Sequence, residues 1–418
     1  MSEHHSRRVF LRRSAALATG LAALPLLSDA ARPQVADAQS GREDAARASE
    51  LYAAMQKNFY LADSKLYLET SPRARSRPYA YLWPFYEAMA GTVDLYGLNM
   101  GTYQTAVDDR LTGLKAYWRP DAVPNQQPPL GGYDSYPLVD GGGDRYNDDN
   151  AWIGRAMVQL HRMGYTSTQS PTPLETTPLE RAQQLFDFIK ASWDTTGTFQ
   201  KTPNPGGVYW VQQPAGASGG KDRGTGPTGG FAKLALHLSS APTDTDPYFT
   251  WGRKAYEWVN ANLLNRATNL YWDKILADNQ TMDTRYWSYN QGVMIGAGVL
   301  LAGLTKSDSY LTQASETAKA AIAHYNSVGW YTQPVIFNSL FFRNLLLLYA
   351  VRSDAQFLEA AQKFADGVWN NPRIHNMRTH MIKFEERTSA YKLREQAGMV
   401  QLYACLAWVG KKNLLDLA

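Results

Sequence analysis

The stretch from Gln291 to Leu304, QGVMIGAGVLLAGL, is apolar on every side and rich in glycine. A helix without a polar face has to be buried all round, whereas a helix with one apolar stripe lies half-exposed on a surface. The preceding helical segment, 246–263, is of the second kind, because its apolar stripe lies opposite Arg253, Lys254 and Glu257. The two segments therefore predict an inner helix beside an outer helix.

The same contrast recurs along the chain. Segment 337–351, which contains FNSLFFRNLLLLYA, is apolar nearly all round, whereas segment 354–369 has a single apolar stripe. Few runs show the alternation that is typical of strands. Apolar periodicity and helix caps predict twelve helices. They cover residues 44–59, 80–97, 101–117, 148–163, 177–192, 228–239, 246–263, 288–304, 308–325, 337–351, 354–369 and 389–410.

Loop lengths alternate in step with the helices. Most connections out of the inner helices are short, and a hairpin of about 50–60 residues repeated six times predicts an all-α, (α/α)6 toroid. An open solenoid of helical hairpins is the alternative, but its loops would be regular and short at both ends. Connections into the inner helices are long, at 60–79, 118–147, 193–227, 264–287, 326–336 and 370–388. These long loops gather at one face, where we expect the functional site.

The N-terminus has the layout of an export signal. Arg7 and Arg8 form a twin arginine, and a short apolar run without acidic residues follows from Leu17 to Leu27. This arrangement is typical of a Tat-type signal peptide, with small residues that allow cleavage after Ala38 or, alternatively, Ala30. An amphipathic N-terminal helix of the mature fold fits the charge layout less well.

We therefore expect a signal peptide over residues 1–38 and a single catalytic (α/α)6 domain over residues 39–418. The apolar run is too short for a stable membrane anchor, so we expect a secreted or extracytoplasmic protein without a membrane span after cleavage.

Composition excludes several classes of protein. The 418-residue chain has 42 Lys and Arg, 38 Asp and Glu and 12% aromatic residues, so its body is not disordered. Removing residues 1–38 takes away five arginines and three acidic residues, and the formal charge falls from +4 to +2. No basic run remains, so we expect no nucleic-acid partner. The single cysteine, Cys405, excludes a disulfide framework and a cysteine-rich metal site.

Aromatic residues and glycines are concentrated in the long loops. Examples are GGVYW from Gly206 to Trp210 and YWSY from Tyr286 to Tyr289. Exposed Trp and Tyr side chains present flat amphipathic surfaces on which sugar rings stack. Packing beneath the loops is the alternative role for each of them. In a sequence without a phosphate loop or a dinucleotide motif, the pattern favours a carbohydrate ligand.

Two adjacent aspartates open the fourth predicted helix, within YNDDNAW from Tyr146 to Trp152. A first-turn acid pair can be only a helix cap, in which Asn147 or Asp148 accepts backbone N–H groups. Adjacent carboxylates repel each other, however, and a cap does not need two of them at the loop-rich face. Trp152 occupies the fifth position of a DDxxD magnesium motif, so we expect no metal. Asp148 and Asp149 are therefore candidate catalytic residues.

Paired carboxyl groups suit the cleavage of glycosidic bonds. One carboxyl group has to stay protonated and one ionised, and two nearby carboxylates push their pKa values apart. Neighbouring helical residues hold their carboxyl groups several ångströms apart, which favours the roughly 5–5.5 Å of a retaining mechanism over the wider gap of an inverting one. The spacing alone does not assign the two roles.

Taken in order, several of these motifs resemble glycoside hydrolase family 76, the bacterial endo-α-1,6-mannanases. The resemblance covers most of the chain, from about Gly132 to Tyr349, and implies an (α/α)6 toroid. It rests on DDNAW within 146–152, GGxYW at 206–210, TGGFA at 228–232, LYWD at 270–273 and YNQGVxIGA at 289–297.

The resemblance implies that Asp148 is the nucleophile and Asp149 the general acid/base of a retaining enzyme that cleaves α-1,6-mannosidic linkages within mannan backbones. Further residues of the same motifs are candidates for substrate binding by hydrogen bonds or by stacking. They are Tyr146, Asn150, Trp152, Tyr209, Trp210, Asp273, Tyr289, Asn290 and Gln291. No cofactor is implied.

Three other functions stay open. A mannan transglycosylase would use the same aspartates, and a non-catalytic glycan-binding protein would keep only the aromatics. A sugar epimerase shares the toroid but works through histidines, and His161 and His237 lie towards the far ends of inner helices. We expect α-mannan as the substrate and a monomeric protein.

Overall fold

The computed structural model describes residues 35–123, 129–212, 220–384, 389–409 and 411–417. The export signal predicted over residues 1–38 lies outside the described residues, apart from its last four positions. Parts of the long loops at 193–227 and 370–388 also lie outside the described residues.

Twelve α-helices are described, within about four residues of the predicted bounds, except that the first begins at Val35 rather than at residue 44. Alternate helices form an outer layer with one buried stripe each. The outer helices are α1 (Val35–Phe59), α3 (Met100–Leu114), α5 (Pro178–Lys190), α7 (Pro247–Asn262), α9 (Asp308–Val328) and α11 (Ala355–Trp369). The inner helices are α2 (Leu82–Leu98), α4 (Asn147–Arg162), α6 (Thr225–Leu238), α8 (Ser288–Thr305), α10 (Val335–Arg352) and α12 (Leu393–Trp408).

The inner helices form a closed ring. Each packs against the next inner helix, and α12 packs against α2. In α8 every residue from Ser288 to Gly303 is buried, as the apolar sequence of this segment predicts. Each outer helix packs against an inner one, and α1 completes the outer layer by packing against α12. The closed ring confirms the (α/α)6 toroid and excludes the open solenoid.

Glycine allows a close approach between two inner helices. A Cβ atom on Gly292 of α8 would lie 2.7 Å from the Cα atom of Phe341 in α10. No side chain fits in that space, so the glycine-rich sequence of α8 is required by its contact with α10.

One described helix, α10, is long and apolar enough to cross a membrane by length and composition alone. Of the 18 residues of this helix, 72% are buried inside the protein. This is the environment of a core helix in the ring.

Short antiparallel strands lie in the loops between the helices. The strands are β1 (Tyr60–Leu61), β2 (Leu66–Tyr67), β3 (Thr70–Ser71), β4 (Trp118–Val123), β5 (Leu130–Tyr133), β6 (Thr198–Phe199), β7 (Thr202–Pro203), β8 (Arg223–Gly224), β9 (Leu264–Asn265), β10 (Leu270–Tyr271), β11 (Lys274–Ile275), β12 (Met282–Asp283), β13 (His375–Asn376), β14 (Met381–Ile382) and β15 (Tyr391–Lys392). The described pairs are β1–β2, β3–β15, β4–β5, β6–β7, β9–β10 and β13–β14, and one three-stranded sheet has the order β12–β11–β8.

Three amide side chains fasten these hairpins to alternate inner helices. Asn150, Gln291 and Gln396 are each the fourth residue of their helix, in α4, α8 and α12. The Asn150 amide accepts from the N–H of Tyr133 at 2.8 Å and donates to its carbonyl at 3.0 Å. Gln291 does the same to Tyr271, at 2.8 and 2.9 Å. Gln396 accepts from the N–H at the end of β14 at 2.8 Å. The loops are thereby fixed relative to the ring.

Candidate active site

The N-terminal ends of all six inner helices surround one cavity of about 480 Å³. This volume lies within the roughly 300–1,000 Å³ that is usual for ligand sites. The long loops, which lead into these helix ends, therefore lie at one face of the ring, as the sequence predicts. The inner helices contribute, in chain order, Trp83, Asp148 and Asp149, Pro227, Tyr289, Phe337 and Arg394.

The predicted aspartate pair lies in this cavity, in the first turn of α4. Asn147 anchors that turn, because its backbone N–H donates to the carbonyl of Trp210 at 2.9 Å and its side chain donates to the carbonyl of Tyr209 at 2.8 Å. The residue before the helix, Tyr146, makes no capping bond with its side chain. Both aspartates line the cavity, so the interpretation of the pair as a mere helix cap does not describe this structure.

The two carboxyl groups differ in their hydrogen-bond partners. Asp148 accepts from the backbone N–H of Asp149 at 3.1 Å and from the indole of Trp210. Among the described residues, no group donates to the carboxyl group of Asp149. Burial raises the pKa of both groups, and the charge of Asp148 raises the pKa of Asp149 further. Because donors stabilise a carboxylate, Asp148 ionises at a lower pH than Asp149, which keeps its proton to higher pH.

A third carboxyl group, that of Asp273, also lines the cavity. The side-chain amide of Asn290 donates to it at 3.0 Å, and burial raises its pKa. Its charge in turn raises the pKa of Asp148. Asn290 is fully buried and acts on the cavity only through Asp273.

Aromatic rings form a large part of the cavity wall. Trp83 stacks on Phe337 with ring centroids 5.3 Å apart, and Tyr289 lies 4.5 Å from the same Phe337 ring. A second pair of rings, Tyr146 and Trp210, has centroids 5.0 Å apart beside the aspartates. Flat apolar surfaces of this kind bind the faces of sugar rings.

Three cationic side chains border the cavity, Lys274, Arg285 and Arg394, and the first two form ion pairs with acidic side chains. The Lys274 ammonium lies 2.7 Å from the carboxylate of Asp222 and 4.5 Å from the centroid of the Trp210 ring. Arg285 is paired with Asp283. Lys274 therefore packs over the face of the Trp210 ring and adds positive charge to the wall.

The structure brings six of the eleven predicted site residues to the cavity wall, namely Tyr146, Asp148, Asp149, Trp210, Asp273 and Tyr289. It places the other five elsewhere. Asn150 and Gln291 bind loop backbone, as described above, and Asn290 lies behind Asp273. Trp152 is only 1% exposed and packs in the core, and the Tyr209 hydroxyl is bonded to Asp194. These five side chains are positioned to support the cavity and do not face it.

Several lining residues are absent from the eleven predicted site residues, although Trp287 belongs to the loop motif YWSY that favours a carbohydrate ligand. Trp83, Trp287 and Phe337 lie at the starts of inner helices, as the aspartates do, and Lys274 and Arg285 lie in the loop before α8. The position of an aromatic residue at the N-terminus of an inner helix was a signal that could have identified the first three.

The fold is similar to solved structures of glycoside hydrolases. A family 76 glycoside hydrolase from a bovine Bacteroides thetaiotaomicron strain has a TM-score of 0.72 and 22% identity, over 87% of this chain and 77% of that chain. An inactive α-1,6-mannanase variant, GH76A of Salegentibacter sp. HEL1_6 in complex with α-1,6-mannotriose, has a TM-score of 0.67 and 18% identity, over 88% of this chain and 99% of that chain. At 22% and 18% identity, these structural similarities establish a shared fold and no more.

Curated relatives match part of the chain. Mannan endo-1,6-alpha-mannosidase DCW1 of Saccharomyces cerevisiae is 31% identical over 179 residues, which are 42% of this chain and 37% of the yeast protein. The protein of the same name from Candida albicans is 27% identical over 186 residues, 44% of this chain and 39% of that protein. The chain thus matches well under half the length of these relatives.

The family model described as glycosyl hydrolase family 76 matches residues 44–334. That stretch is well over half of the chain and includes both aspartates, Trp210, Asp273 and Tyr289 of the cavity wall. The chain belongs to glycosyl hydrolase family 76.

Proposed function

We propose that the protein is an exported, retaining glycoside hydrolase that cleaves α-1,6-mannosidic bonds within mannan backbones. The observation that carries the proposal is the contrast between Asp148, which has donors for its charged form, and Asp149, which has none among the described residues. Retaining and inverting glycosidases both need this division between an ionised and a protonated carboxyl group, and we propose retention because the two aspartates are adjacent in one helical turn.

Each aspartate then has one task in each half of the reaction. Asp148 attacks C1 of the mannosyl unit while Asp149 gives its proton to the departing glycosidic oxygen, which leaves a covalent glycosyl-enzyme. Asp149, now ionised, takes a proton from a water molecule, and the resulting hydroxide attacks C1 and releases Asp148. The enzyme ends in its starting protonation state.

The substrate is proposed from the cavity and the relatives together. Two aromatic pairs in the cavity wall, the stacked Trp83 and Phe337 and the tilted Tyr146 and Trp210, fit the faces of a carbohydrate chain. The names of the relatives refer to α-1,6-linked mannan or mannotriose. The twin-arginine N-terminus supports export to the polymer, and a single catalytic domain over 39–418 that acts as a monomer completes the proposal.

Incubation with linear α-1,6-mannan tests the activity. We expect the wild type to release oligosaccharides, and Asp148→Asn to lose activity by about 10³-fold or more. Asp63→Asn is the matched control, because Asp63 is exposed on the β1–β2 turn. If linear, debranched yeast and mycobacterial mannans all stay intact, the substrate assignment is wrong.

Two further measurements test the mechanism. A substrate with an activated leaving group needs little acid catalysis, so it should restore the first step in Asp149→Asn but not in Asp148→Asn. An NMR time course should show a first-formed product with retained anomeric configuration, and an inverted product would refute retention. Products longer than the substrate, formed when an acceptor sugar is present, would instead identify a transglycosylase.

A further inference from the structure

Below the active-site cavity, the inside of the ring contains a layer of charged and polar side chains. Arg155 of α4, Lys233 of α6, Arg343 of α10 and Gln401 of α12 each follow a cavity-lining residue of the same helix by six or seven positions. Two helical turns place this layer about 10 Å beneath the cavity. All four side chains are at least 97% buried.

The cationic groups of the layer are near enough to act on one another electrostatically. The ammonium of Lys233 donates to the Asn344 side chain at 2.6 Å. Burial, together with the nearby charges of Arg155 and Arg343, holds the pKa of Lys233 well below its usual value. Three basic side chains therefore share one interior region and repel one another.

The acidic groups nearby are already engaged. Asp94 is bound by Arg343 at 2.6 Å and by Gln159 at 2.8 Å. Glu87 accepts from Trp83 and from a serine, each at 3.2 Å, and burial raises its pKa to about 8. No ion pair between Glu87 and an arginine occurs within the part of the chain that the structure describes. The layer therefore has more positive charge than negative.

Arg155 forms no ion pair with an acidic side chain in the described part of the chain, and the nearby Glu87, whose pKa burial raises to about 8, is mostly protonated at pH 7. One of its nitrogens donates to the Tyr86 hydroxyl at 2.6 Å, whereas Nε and Nη1 have no hydrogen-bond partner among the described residues. Both polar atoms of the Gln401 amide are likewise without partners there. A buried charge is costly unless it is paired, and a buried donor unless it is bonded.

We propose that this layer binds a small monovalent anion of the halide type, such as chloride, between Arg155, Lys233 and Gln401. The anion accepts from Nε and Nη1 of Arg155, from Nζ of Lys233 and from Nε2 of Gln401. It compensates the excess positive charge and stabilises the centre of the ring. Water could accept the same hydrogen bonds but would leave the charge uncompensated. The site is independent of the proposed catalytic function.

Crystals of the wild-type protein grown with bromide in place of chloride test the site directly. We expect an anomalous-scattering peak within hydrogen-bond distance of Nε or Nη1 of Arg155. Absence of that peak, or water alone at the position, would overturn the proposal. This measurement requires no variant, so it does not depend on whether a substituted protein folds.

Thermal unfolding provides the test in solution. At constant ionic strength and pH, the midpoint should rise with the logarithm of chloride concentration when chloride replaces gluconate. Arg155→Met should lose this dependence, and Gln401→Leu should weaken it. Arg253→Met, which changes a partly exposed arginine of α7, should keep it as the matched control. Equal midpoints for the wild type in chloride and gluconate would show that no such anion is bound.

Discussion

Replacing Trp210 by Phe tests whether the indole N–H keeps Asp148 ionised. Phenylalanine retains an aromatic ring beside Tyr146 and Lys274 but removes the donor to Asp148. A hydrogen bond to a charged group contributes about 1.5–3 kcal/mol, and one pKa unit corresponds to about 1.4 kcal/mol. The substitution should therefore raise the pKa of Asp148 by roughly one to two units.

The sign of the effect on activity follows from the proposed roles. Asp148 has to be ionised to attack, so activity falls as the pH drops below its pKa. Burial already raises that pKa, and loss of the indole donor raises it further. The acidic limb of the profile should move to higher pH by roughly one to two units, while the alkaline limb, set by the proton on Asp149, should move less.

The assay is kcat/KM against pH with a soluble α-1,6-linked manno-oligosaccharide. Trp330→Phe is the control, because its indole donates to Asn326 at 3.0 Å and the residue does not line the cavity. The control should leave both limbs in place. If Trp210→Phe lowers kcat/KM equally at every pH without moving the acidic limb, Trp210 only contacts substrate and the reasoning is wrong.

Three further predictions concern stability. Glu87→Gln should raise the free energy of unfolding at pH 7 by at most roughly 3 kcal/mol, because burial raises the pKa of Glu87 from 4.5 to about 8. The wild type loses stability as the pH rises from 4.5 towards 8, because Glu87 ionises in the unfolded chain before it ionises in the folded protein. Urea unfolding should therefore show no gain from the variant below pH 4.5. Asn150→Ala removes the bonds to Tyr133 and should cost about 3 kcal/mol in urea unfolding, and a loss below about 1 kcal/mol would contradict the role of this amide. Arg223→Met leaves Asp194 buried without its partner and should cost about 3–5 kcal/mol and lower kcat/KM, so an unchanged thermal midpoint would count against it.

The amide contact that recurs in three inner helices was visible in the sequence as a pattern, but its binding partners were not. Asn150 and Gln291 belong to the motifs that carry the family resemblance, so they were predicted to bind substrate. In the structure they bind the backbone of Tyr133 and Tyr271 instead. The pattern was present in the sequence as an amide residue at the fourth position of alternate inner helices, including Gln396. The partners that these amides bind are loop backbone groups that lie 14 to 20 residues away in the chain.

The sequence by itself determined the helices, their division into inner and outer layers, and the place of Asp148 and Asp149 at the start of an inner helix. These are local properties, because periodicity and composition follow from neighbouring residues. Only the tertiary structure decided which side chains face the cavity and which of the two aspartates has donors. That choice depends on Trp210 and Asp273, which reach the pair from other loops, and contacts between distant segments exist only once the ring has closed.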